Sequence, residues 1–156
     1  MSNNSNLIFV DCEAVGENGE GGGICPGIGT LTEFGAVHYP SMEFFYGDIP
    51  KWGMNDTFVF FNEWLCKVCP NSRVVFVSDN PGFDFPWINY HFHRVMNYNP
   101  FGWSARRIGD YYAGLCGNFR QTQHWKKLRI TKHTHHPVDD AMGNAEAFKR
   151  IEEGER

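Results

Sequence analysis

At 156 residues with 14 basic and 18 acidic side chains, the chain has the size of one domain and a net charge of −4. That balance excludes a polybasic nucleic-acid coat or a basic membrane patch as its main business. A hydrophobic share of 42% against 21% charged excludes a disordered chain, and a domain of about 150 residues buries enough surface to fold without disulfides.

The tail 1–6 is polar, and the apolar stretch 7–10 is too short for a signal peptide. No apolar run approaches the ~18 residues of a membrane span. The expectation is a single cytoplasmic domain over 1–156, with no membrane partner. The five cysteines are odd in number, and in a reducing compartment they read as buried thiols.

Residues 7–12 form a nearly continuous apolar run, which predicts a buried strand. Seven glycines between Gly16 and Gly29 predict a surface loop. No Gly-Lys-Ser/Thr follows it, so a phosphate-cradling loop is a weak reading. Residues 30–39 and 42–49 predict two strands of a hairpin turning near Pro40. Asp56 is a good N-cap for a helix running to about Cys69, with Phe58, Phe61, Leu65 and Val68 at helical spacing. Residues 73–78 predict a strand, 79–82 a turn, and 83–96 a helix with Pro86 in its first turn. Residues 105–116 predict another helix. Pro137 opens a last helix to about Glu152, packed through Val138, Ala141, Met142, Ala145 and Phe148. Strands first and helices interleaved later predict an α/β fold, a mixed β-sheet flanked by α-helices.

Three clusters carry chemistry. Asp11 and Glu13 stand at i and i+2 of the first strand, so they share a face. Paired carboxylates at the end of a buried strand repel unless a cation lies between them, and hard oxygen ligands suit Mg²⁺ or Mn²⁺. The plain alternative is a strand that has reached solvent. Asp84, in Asn80-Pro81-Gly82-Phe83-Asp84, reads alone as a helix N-cap. His133, His135 and His136 crowd the approach to the last helix, ahead of Asp139 and Asp140. Alone they read as a solvated turn, or as a zinc hydrolase site that leaves Asp11, Glu13 and Asp84 unexplained. Cys66 and Cys69 form a lone CxxC, read as buried thiols.

In sequence order the clusters resemble the motifs of the DEDDh exonucleases, the histidine subclass of the DnaQ-like, RNase H-fold superfamily. Residues 9–13 look like its first motif, 33–37 like its second strand, 80–84 like its second motif and 135–140 like its third. Residues 135–146 are most similar to small stand-alone 3′–5′ exoribonucleases of bacteria and phages. The resemblance implies an RNase H-like sheet and hydrolysis from the 3′ ends of RNA or single-stranded DNA, releasing nucleoside 5′-monophosphates. It implies Asp11, Glu13, Asp84 and Asp140 as ligands of two divalent ions, whose +4 balances the four carboxylates. It implies His135 as general base, and Ala14, Val15, Asn80 and Phe85 at the substrate. Stand-alone relatives of this kind are often homodimers. His136 sits at the spacing used by the tyrosine subclass, but Pro137 biases it toward extended backbone, so His135 is the expected base. The alternative of another class is a nucleic-acid-binding module that kept the fold and lost catalysis.

Phe85 is the one aromatic near the second motif expected to stack on a base; Phe83, Trp87, Tyr90 and Phe92 are expected mostly in the core. Arg106, Arg107, Lys126, Lys127, Arg129 and Lys132 either track phosphates or form a solvated face.

Overall fold

A computed structural model describes residues 4–19, 22–71 and 73–156. Five strands, β1 (Leu7–Val15), β2 (Thr30–Tyr39), β3 (Phe44–Asp48), β4 (Val75–Ser78) and β5 (Ala105–Arg107), form one sheet in the order β3-β2-β1-β4-β5. The first three are antiparallel; β4 runs parallel to β1, and β5 parallel to β4. Around the sheet lie α1 (Ile49–Trp52), α2 (Met54–Val68), α3 (Pro81–Met96), α4 (Ile108–Leu115), α5 (Pro137–Glu152) and a 3₁₀ turn at His124–Leu128. This α/β order agrees with an RNase H-like sheet.

Alternation along β1 divides the core in two. Ile8, Val10, Cys12 and Ala14 face one side, among Phe34, Phe58, Phe61, Phe76, Trp87 and Phe92. Phe9 faces the other, with Ile108, Tyr112, Trp125, Ala141, Ala145 and Phe148. The run reads as continuously apolar because both faces are covered. Phe61 stands at the centre of the aromatic side, with ring centroids 4.9 Å from Phe34 and 5.5 Å from Phe92.

Several boundaries differ from those the sequence predicts. Asp56 does not cap α2; it lies inside the first turn, and Gly53 precedes the helix at φ 79°, a conformation glycine adopts without strain. The end of the predicted third strand folds instead into α1, whose N-cap Asp48 accepts from the Lys51 amide at 3.2 Å. Residues 105–107 are the edge strand β5 rather than helix, and α4 begins only at Ile108. Three residues are too few to show a period of two. Of the five cysteines, Cys12 and Cys69 are buried, Cys25 and Cys116 are partly exposed, and Cys66 is exposed; none is in a disulfide. The predicted 16–29 loop is not simply free surface where it is described. The Gly23 amide donates to the Ala14 carbonyl at 3.0 Å, and Cys25 pairs with Ile28.

Candidate active site

The carboxylates meet where β1 ends and two helices begin. Asp11 and Glu13 continue the β1 face that carries Phe9, so they point toward α5. A register shift follows directly, between Glu13 and Ala14; such bulges bend a strand and re-aim its side chains. Asp140 lies in the first turn of α5 and is 2% exposed. One carboxylate oxygen each from Asp11, Glu13 and Asp140 lie within 4.8 Å of one another. Asp84 is not the N-cap of α3; Asn80 holds that position, and Asp84 sits inside the first turn. Its Oδ1 accepts from the Cys12 amide, between Asp11 and Glu13, at 3.0 Å.

This grouping is electrostatically costly without a cation. Burial, then repulsion from Asp84, Asp140 and Glu13, pushes the Asp11 carboxyl far above the usual carboxylate range, with the Arg129 charge opposing. Burial raises Asp84 as well, against the Ser78 hydroxyl and the Cys12 amide, which favour its charged form. Glu13 is raised by burial, with His135 pulling the other way. Asp140 offers a more direct sign. Its Oδ1 accepts from the Thr134 amide at 3.1 Å and contacts His133 Nδ1 at 2.7 Å. Its Oδ2 is buried and has no hydrogen-bond partner among the described residues. A buried carboxylate oxygen without a donor is costly. The donor set, oxygens without sulfur, fits a hard divalent cation. Cys12 Sγ belongs to the opposite face of β1.

The three histidines have different surroundings. The rings of His133 and His135 lie edge to face, with centroids 4.3 Å apart. Nitrogens of both fall within 4.8 Å of an Asp140 oxygen. His135 adopts φ 62°, uncommon for a residue with a side chain and often found at functional sites. His136 is the extended N-cap of α5, as the residue before proline should be. Its ring packs on Tyr46 at 5.0 Å. The Tyr46 hydroxyl donates to Glu33 and is pushed up to about 12 by that bond. His133, His135 and His136 therefore do not gather as a zinc triad; Asp140 completes the group in place of His136.

The remaining expected residues are placed as follows. Ala14 is buried just past the bulge, and Val15 bridges to Gly22. Asn80 is exposed at the start of α3. Phe85 is half-buried and packs edge-on against Phe76 at 5.2 Å. Trp87 and Phe92 are core; Tyr90 is exposed. Of the basic residues, three have partners close by. Lys126 pairs with Asp79 at 2.6 Å and Arg107 with Asp110 at 3.2 Å. Arg129 reaches Asn144 at 2.6 Å and lies over the Trp125 ring at 5.0 Å. Sequence reasoning missed the pairing of Arg129 with Asn144 behind the carboxylates. The position of Asn144 four residues after Asp140, on one helix face, was the available signal. An apolar cleft of about 530 Å³ around Leu7, Val75 and Ile108 lies at the opposite end of the sheet and contains none of the four carboxylates.

Fold and site together describe an RNase H-like sheet with a buried carboxylate cluster and adjacent histidines. No known family profile matches the chain. A stretch of 103 residues is 35% identical to the 3'-5' DNA exonuclease Cap18 of Escherichia coli, covering 62% of this chain and 55% of that protein. The chain thus spans about half the length of the curated relative it matches. The homology is distant and agrees with the exonuclease resemblance of the motifs. No helix among the described residues is long and apolar enough to cross a membrane.

Proposed function

We propose that the chain is a metal-dependent 3′–5′ exonuclease that removes nucleoside 5′-monophosphates from single-stranded DNA. The observation that carries this reading is the convergence of Asp11, Glu13 and Asp140 within 4.8 Å, with Asp84 held against the amide between the first two. The name of the relative favours DNA over RNA. Two divalent ions, Mg²⁺ or Mn²⁺, held by Asp11, Glu13, Asp84 and Asp140 would neutralise the four carboxylates and stabilise the attacking and leaving oxygens of an in-line displacement.

The protein's own groups do the rest. His135, beside Glu13 and Asp140, accepts the proton of the attacking water. Its exposure lets it exchange that proton with solvent. The N-terminus of α5, opened by Pro137, directs its dipole at the phosphate. Ala14, Val15 and Asn80 border the terminal nucleotide.

The test is a single-stranded DNA labelled at either end, with a closed circle and an RNA of the same sequence. A 5′ label should give a shrinking ladder, a 3′ label should leave at once as mononucleotide, and the circle should survive. Cutting of the circle would mean an endonuclease and overturn the proposal. Preference for the RNA would overturn the substrate assignment alone.

A further inference from the structure

We propose that His133, His135 and Asp140 form a zinc site that switches the nuclease off. The proposal rests on the exonuclease reading for its consequence, though not for the binding itself. One nitrogen from each histidine and one oxygen of Asp140 lie within 4.8 Å of one another. Zinc bound at about 2.0–2.1 Å from each donor in a tetrahedron needs donors roughly 3.3 Å apart. His133 Nδ1 and Asp140 Oδ1 are already 2.7 Å apart, and both imidazoles are exposed and able to turn. Asp140 is the buried member of this group. It is 98% buried on the 2% exposure of the residue, and its Oδ2 has no hydrogen-bond partner among the described residues.

Two nitrogens and one oxygen suit zinc and disfavour Mg²⁺, which keeps oxygen ligands and its water shell. Asp140 belongs to both groups, the nitrogen-rich one and the one with Asp11 and Glu13. A zinc ion between the histidines therefore competes with the carboxylate cluster for Asp140. It also occupies the lone pair of His135 that would accept a proton. His136, held on Tyr46, is left out. The fourth position stays open to water.

Calorimetry with Zn²⁺ on the full chain carrying Asp11→Asn and Glu13→Gln tests binding without any activity. One zinc per chain is expected. Replacing His133 by Asn in that background keeps a donor toward Asp140 but removes the imidazole. It should weaken binding at least about tenfold, since loss of even an outer partner costs 10–100-fold. His133→Ala supplies the same comparison if the Asn variant folds poorly. In the otherwise native chain with Mg²⁺, the zinc concentration for half-inhibition of DNA hydrolysis should rise at least about tenfold on His133→Asn. Absence of calorimetric binding, or binding indifferent to His133, overturns the site. Hydrolysis supported by Zn²⁺ alone overturns the inhibitory role. A chain that binds zinc as described but never degrades DNA refutes the exonuclease reading and leaves the site standing.

Discussion

Gly35→Ala tests how tightly the site is built. Gly35 pairs with Asp11 on one side and Tyr46 on the other, and the start of α5 lies directly on it. A Cβ at this position would stand 2.3 Å from both the carbonyl carbon and the oxygen of Pro137, and 2.4 Å from the Val138 nitrogen. Ordinary contact begins at 3.4 Å, so the closest pair is about 1.1 Å short. The obstacles are backbone atoms, which no rotamer change can clear. Either β2 or the first turn of α5 must move by about that distance. Overpacking of this kind costs about 1–3 kcal/mol, or roughly 2–12 °C in melting temperature for a domain of this size. Pro137 is two residues from His135 and three from Asp140, so the same shift misplaces both. A misplacement of about 1 Å can cost ~100-fold in rate. The assay is thermal unfolding together with hydrolysis of end-labelled DNA at saturating Mg²⁺. Gly114→Ala is the control: a Cβ there meets nothing within 4 Å, and alanine in a helix should be neutral or stabilising by about 1 kcal/mol. A Gly35→Ala protein with native melting and native rate would refute the close seating of α5 on β2.

The cluster's charge yields a second prediction. The folded carboxyls of Asp11 and Asp84 are raised above their unfolded values. The folded state therefore holds more protons, and metal-free stability should fall as pH rises above the ordinary carboxylate range near 4. Asp84→Asn keeps an acceptor for the Cys12 amide; it should abolish hydrolysis, flatten this fall and raise metal-free melting at pH 8. A less stable variant at pH 8 would contradict the assigned cost. His91, packed against Trp87, is lowered to about 4 by burial and by Arg94. Its contribution is complete above the unfolded value near 6.5 and is lost as pH falls toward 4. A His91→Gln protein should lose less of its melting temperature between pH 7 and pH 4.5 than the native chain, as calorimetry can read. His135→Ala should lower the rate ~10²–10⁴-fold, while His136→Ala should cost far less. The reverse order would make His136 the base.

What could be read from the residues alone was whatever depends on short-range geometry. The i, i+2 placement of Asp11 and Glu13 follows from the period of a strand. The start of α5 at Pro137 follows from the fixed backbone of proline and the missing amide it can spare in a first turn. The ordered set of motifs added the fold and the carboxylates Asp84 and Asp140. Other features depend on which distant segments the topology brings together. Residues 105–107 became a strand because β4 offered an unpaired edge, not through any local pattern. His135 and His136 are neighbours in the chain, yet the fold sets the His136 ring on Tyr46, ninety residues away, and groups His135 with His133 and Asp140. The edge contact of half-buried Phe85 with Phe76 likewise joins two elements that the sequence keeps apart. Arg129 found Asn144 and the Trp125 ring as partners. Backbone period is set by bonds between neighbours and is present in any stretch of chain. The partner of a side chain is set by long-range packing, which exists only once β1, β2 and α5 have closed around the same carboxylates.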